Sequence, residues 1–66
     1  MTKFNATLYL ERGDETNEAT FEFEVDDDYS EAGYAIREAM INQMPDWVAD
    51  DCWDIADSEY TRAIND

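Results

Sequence analysis

The chain is short of the residues that most small functional sites use. Among 66 residues there is no histidine, one cysteine and four basic side chains. With Cys52 as the only thiol no internal disulfide can form, and without histidine the ordinary zinc sites are excluded as well. Nothing basic near Cys52 in the sequence would lower its pKa as a thiol nucleophile requires. We therefore expect neither an enzyme nor a protein that needs a cofactor or metal.

Long hydrophobic runs are also missing. No apolar segment approaches the length of a signal-peptide core or a membrane-spanning helix, so a cytoplasmic protein is expected. The lone cysteine agrees with a reducing compartment.

What the chain has in excess is negative charge. Eighteen acidic residues face four basic ones, which gives a formal net charge of −14. The hydrophobic content of 44% and the nine aromatic residues nevertheless indicate a folded chain rather than a disordered acidic tail. At this length, residues 1–66 form one domain with a marginal core.

Two segments alternate between apolar and polar residues, as half-buried strands do. In residues 3–11 the apolar positions are even-numbered, from Phe4 to Leu10, and in residues 19–26 they are odd-numbered, from Ala19 to Val25. The segment between them, RGDETNE, is typical of a turn, so the sequence predicts a β-hairpin.

A helix is predicted after the hairpin. Asp28 and Glu31 fit a capping box, and apolar residues then recur at helical spacing until Pro45 ends the segment: Tyr29, Gly33, Ile36, Met40 and Met44. The same acidic stretch does not fit a calcium-binding EF-hand loop, which would need glycine at position 31 and glutamate at position 37.

The C-terminal segment permits two interpretations. On a helical wheel the apolar residues of 46–64 fall in one half and the polar residues in the other. The two exceptions are Trp47, which lies in the polar half, and Glu59, which lies in the apolar half. This partition favours a second amphipathic helix. The alternative makes about 52–64 a third strand, although the next alternating positions after Trp53 and Ile55 are acidic rather than apolar. The favoured fold is therefore α+β, a two-stranded antiparallel hairpin followed by two helices (ββαα), with ββαβ as the alternative.

The acidic residues are the candidates for partner binding. As a helix, residues 46–64 would present Asp50, Asp54 and Asp57 in one row, flanked by Asp51. The outer face of the hairpin adds further carboxylates, and two aromatic residues outside the predicted core could anchor a partner. The predicted binding residues are Asp50, Asp51, Asp54, Asp57, Glu22, Glu24, Asp26, Trp47 and Tyr34.

In length, charge, lack of catalytic motifs and acidic stretches such as VDDDYSE and DWVADDCWDIAD, the chain resembles the small acidic inhibitors encoded by bacteriophages, including anti-CRISPR proteins and other DNA mimics. The resemblance implies a stoichiometric inhibitor in the host cytoplasm, a monomer or homodimer that binds no nucleic acid or membrane itself. Its acidic surface would occupy the basic nucleic-acid site of a host defence complex.

Two other functions are compatible with the same composition. One is a small regulatory or assembly module that binds a basic protein without imitating nucleic acid. The other is a protein of a high-salt cytoplasm, in which the charge serves solubility.

Overall fold

A computed structural model describes residues 1–63 as a three-stranded antiparallel sheet with helices on one face. The order along the chain is β1 (Thr2–Arg12), β2 (Glu15–Val25), a 3-10 turn (Asp27–Tyr29), α1 (Gly33–Asn42), α2 (Asp46–Asp50) and β3 (Asp54–Arg62). In the sheet, β1 lies between β2 and β3 and pairs with both in antiparallel orientation.

The hairpin of β1 and β2 is confirmed and is longer than the alternation predicts. The strands are joined by a two-residue turn in which Gly13 has φ +59°, a conformation that glycine adopts without steric cost. The register pairs Phe4 with Phe23, and their rings stack with centroids 5.4 Å apart. Because the turn is so short, pairing continues without interruption to Arg12 and Glu15.

The core lies between one face of the sheet and the two helices. Ile36 and Met40 of α1 and Val48 of α2 are buried against the apolar faces of β1 and β2, as the helical spacing around Ile36 and Met40 predicts. The buried residues are Phe4, Ala6, Leu8, Leu10, Ala19, Phe23, Val25, Ile36, Met40 and Val48. Phe21, Ala39, Met44, Trp53 and Tyr60 pack around them and are partly buried.

The favoured ββαα fold is wrong, because the segment predicted as a second long helix contains a strand. Only Asp46–Asp50 is helical, and Asp54–Arg62 pairs along β1 from Glu11 to Phe4. The less favoured interpretation had placed a strand at about 52–64. Residues 64–66 lie outside the described part of the chain.

A bulge explains why β3 has a helix-like pattern. Ile55 lies opposite Leu10, and Asp57 lies opposite Tyr9, so that Ala56 is an extra residue in the ladder. The face of the sheet occupied by odd-numbered residues therefore changes at the bulge. Ile55 faces the same side as Leu10, whereas beyond the bulge the even-numbered residues take that side, and strict alternation is lost.

The start of α1 also differs from the prediction. Asp26 is the N-cap of the 3-10 turn and accepts a hydrogen bond from the backbone N–H of Asp28 at 3.0 Å, so Asp28 does not cap a helix. The α-helix begins only at Gly33, and Tyr29 is exposed rather than part of the core. A short-range cap within the acidic stretch replaces the predicted capping box.

Arg12 connects the hairpin to the turn between α2 and β3. Its guanidinium lies 4.2 Å from the centre of the Trp53 ring, and Nη1 donates to the backbone carbonyl of Asp51 at 2.7 Å. It also forms an ion pair with Glu15 at 3.1 Å. Cys52 is exposed in this turn and has φ +61°, in the left-handed region. The segment 51–53 is thus held as a bend.

Within residues 1–63, neither helix has the length and apolar character required to cross a membrane.

Candidate functional site: the acidic face of the sheet

The face of the sheet opposite the helices is polar, exposed and acidic. It consists of the side chains that alternate with the core residues on all three strands, in five rows across the sheet. We call this surface the acidic face and define it by its seven carboxylates: Glu11, Glu18, Glu22, Glu24, Asp54, Asp57 and Glu59.

The carboxylates flank a centre that is largely uncharged. The middle of β1 contributes Asn5, Thr7 and Tyr9, while most of the acids stand on β2 and β3 at either side. Side chains two residues apart on a strand are separated by roughly 6.8 Å, and the two outer strands are roughly 10 Å apart. The result is two acidic columns on one rigid surface.

The basic residues leave these acids largely uncompensated. Lys3 is the one basic residue on the acidic face, next to Glu24 in the pairing register. Arg12 and Arg62 lie on the helix-bearing side, against Trp53 and the ring of Phe4 respectively. Among residues 1–63 the ion pairs join the N-terminal ammonium to Asp27 and Arg12 to Glu15, so none involves the acidic face.

Tyr9 is the aromatic residue at the centre of the acidic face. Its hydroxyl donates a hydrogen bond to Glu59 Oε1 at 2.7 Å. This bond is the main reason that the pKa of Tyr9 is raised above its usual value of 10.0, with further contributions from partial burial and from the negative charges of Glu59, Glu18 and Asp57. The ring is therefore fixed over the sheet as a neutral donor.

The structure brings four of the predicted binding residues together and separates the others. Glu22, Glu24, Asp54 and Asp57 all lie on the acidic face, although Asp54 and Asp57 do so from a strand. The helical row of Asp50, Asp54 and Asp57 does not exist, because α2 ends at Asp50 and β3 begins at Asp54.

The other predicted binding residues lie elsewhere. Asp50 and Asp51 are at the C-terminal end of α2, and Asp26 caps the 3-10 turn. Trp47 is on α2 and is 37% exposed, and Tyr34 is on α1 and is 73% exposed. None of these five belongs to the acidic face.

Three of the seven carboxylates of the acidic face are not among the predicted binding residues, namely Glu11, Glu18 and Glu59, and neither is Tyr9 at its centre. Glu18 lies before residue 19, the first residue of the predicted alternation, although Thr16, Glu18 and Thr20 continue the same pattern. Glu59 was one of the two residues that did not fit the helical wheel. That misfit was the available signal for a strand.

No group of histidine, cysteine or acidic side chains within residues 1–63 has the arrangement needed to hold a metal ion. The acids of the acidic face are spread over the sheet rather than gathered around one point. Comparison of the chain with protein-family models, with curated protein sequences and with solved structures finds no match.

Proposed function

We propose that the protein is a stoichiometric inhibitor that binds, through its acidic face, a basic nucleic-acid-binding site of another protein in the host cytoplasm. The observation that carries this proposal is the double column of carboxylates on one side of the sheet, none of which forms an ion pair within residues 1–63. A strand-based surface holds its side chains at fixed intervals, as a nucleic acid holds its phosphates.

The charge density of the acidic face supports the comparison. Five rows of side chains span four intervals, or roughly 27 Å along the strands. Seven carboxylates and Lys3 leave six net negative charges over that length, or about one per 4.5 Å. Nucleic acid carries one charge per roughly 3.4 Å along a single strand and per roughly 1.7 Å in a duplex. The acidic face is thus close to one strand in charge density.

The basic partner would be attracted by charge and selected by shape. Long-range attraction raises the rate of encounter with a lysine- and arginine-rich groove. The groove would then close over the neutral centre of the face, where the Tyr9 ring can stack with an arginine side chain. Because nucleic acid occupies such a groove through the same basic residues, it would compete with the protein.

Competition is therefore the test. The tagged protein is immobilised and exposed to a bacterial lysate at about 0.15 M salt, with and without added duplex DNA or single-stranded RNA, and bound proteins are identified by mass spectrometry. The proposal expects a nucleic-acid-binding protein that is retained by the chain and released by one of the competitors. Retained proteins that neither nucleic acid releases would contradict the mimicry and favour a regulatory module.

A further inference from the structure

The exposed side of α1 has a pattern of residues that the same side of a second copy of α1 can complement. Tyr34, Arg37, Glu38 and Ile41 follow the spacing i, i+3, i+4 and i+7, which places them in one stripe opposite the buried Ile36 and Met40. All four are exposed, and they line a shallow groove together with Gly33 and Asn42 at its two ends. We call this surface the α1 stripe.

The α1 stripe is symmetric about a point between Arg37 and Glu38. If two copies of α1 pack antiparallel around a two-fold axis at that point, Arg37 lies opposite the partner's Glu38. In the same arrangement, Tyr34 lies opposite the partner's Ile41. At the ends of the groove, Gly33, which has open space around it, meets the partner's Asn42. Such self-complementarity is the condition for a two-fold symmetric interface.

Charge makes this the surface on which two copies can meet. The molecule carries −14 overall, so most of its surfaces repel those of a second copy. The ten residues of α1 carry one positive and one negative side chain, Arg37 and Glu38, and are neutral in sum. In the antiparallel pair each of these charges faces its opposite, while Tyr34 and Ile41 supply apolar contact.

We propose that the α1 stripe is a homodimer interface formed by antiparallel packing of α1 against α1 of a second copy. A ten-residue helix is roughly 15 Å long, so the interface is small and the dimer forms at high protein concentration. Salt strengthens it, because screening of the overall repulsion outweighs the weakening of two exposed ion pairs. The acidic faces of the two copies stay free, since α1 covers the opposite side of the sheet.

The test exchanges the two central charges. In Arg37→Glu, the glutamate at position 37 of each copy faces Glu38 of the other copy, so two pairs of like charges lie on either side of the two-fold axis. Glu38→Arg creates the corresponding pairs of arginines. Each variant alone should be monomeric, with a dimer dissociation constant at least about tenfold above that of the original chain. Mixed in equal amounts they should form a heterodimer, because every position 37 then faces an opposite charge at position 38. Sedimentation velocity at about 0.5 M salt measures all of these species.

Matched controls separate the interface from net charge. Lys3→Glu gives −16, as Arg37→Glu does, and Glu31→Arg gives −12, as Glu38→Arg does, but neither residue lies on α1. Both controls should dimerise like the original chain, and circular dichroism should show the same fold for all variants. Three results would overturn the proposal: an original chain that remains monomeric at about 1 mM, controls that also become monomeric, or a mixture that fails to associate. None of these results bears on binding by the acidic face.

Discussion

At the scale of single residues, Tyr9 links the structure of the acidic face to its electrostatics. Its hydroxyl bonds Glu59 from the neighbouring strand, amid carboxylates that disfavour a second negative charge. Because the pKa of Tyr9 is raised on folding, its neutral form is stabilised in the folded protein. The contribution to stability is fully present below the unfolded pKa of about 10 and is lost as the pH rises through the folded pKa.

Replacing Tyr9 by phenylalanine should therefore lower stability in a pH-dependent way. Tyr9→Phe removes the donor to Glu59, so the variant should unfold at a lower urea concentration than the original chain at pH 8. The difference should shrink above about pH 10, because tyrosine then loses its proton in the unfolded state first, which removes the stability that Tyr9 adds to the original chain. Tyr34→Phe is the control, because Tyr34 is exposed on α1. A difference that is unchanged from pH 8 to pH 12 would show that the hydrogen bond does not matter.

At the scale of elements, the sequence favoured the hairpin correctly, whereas β3 agrees only with the less favoured interpretation of the C-terminal segment. The alternation from Phe4 to Leu10 and from Ala19 to Val25 is uninterrupted, because these strands pair in regular register. In β3 the bulge at Ala56 changes the face on which successive residues lie, so Ile55 and Tyr60 share a side although one is odd-numbered and the other even-numbered, and the alternation expected of a strand is broken. A bulge depends on pairing with another strand, and local periodicity does not report it.

The candidate surface was accordingly predicted in part. Glu22 and Glu24 were placed correctly on the outer side of the hairpin, because their strand was identified. Asp54 and Asp57 belong to the predicted helical row, and they lie on the acidic face for a different reason, since β3 pairs with β1. The residues of β3 do not by themselves indicate which strand it pairs with, because β1 is distant from it in sequence.

The exposed edges of the sheet are partly capped by side chains. The Gln43 amide bonds the backbone of Glu24 on β2 twice, accepting from its N–H at 3.0 Å and donating to its carbonyl at 2.7 Å. The Asn17 and Asp57 side chains likewise accept from the N–H groups of the residues that follow them, each at 2.8 Å. Such caps occupy groups that could otherwise pair with another chain.

Removing the Gln43 cap should loosen the edge of β2. Gln43→Ala deletes both hydrogen bonds, and because the site is exposed we expect a loss of about 1 kcal/mol in the free energy of unfolding. The amide of Glu24 should exchange with solvent faster, as hydrogen exchange followed by NMR would measure. Asn42→Ala is the control, since Asn42 lies next to Gln43 but makes no side-chain hydrogen bond to Glu24. Equal exchange at Glu24 in both variants would contradict a role for the cap.

At the scale of the whole molecule, net charge opposes folding. With a net charge of −14 on 66 residues, the acidic side chains repel one another in the compact state, and added salt screens that repulsion. We expect the midpoint of thermal unfolding to rise between about 0.05 M and 0.5 M salt, with the chain already folded at about 0.15 M. Circular dichroism measures both. Folding that appears only at molar salt would instead identify the charge as an adaptation to a saline cytoplasm.

The central claim is that the position of the acids matters as well as their number. Two variants with the same net charge separate these effects, each neutralising four acids and so raising the charge from −14 to −10. The first changes four acids of the acidic face to amides: Glu18, Glu22, Asp54 and Asp57. The second changes four exposed acids elsewhere: Asp28, Glu31, Asp50 and Asp51.

The most direct measurement is the affinity of both variants for the nucleic-acid-binding protein retained from the lysate, at one salt concentration. If the acidic face is the binding surface, the first variant should bind at least about tenfold more weakly than the second, which should remain close to the original chain. Equal losses for both variants would mean that net charge alone drives binding. A larger loss for the second variant would place the interface away from the acidic face and contradict the account.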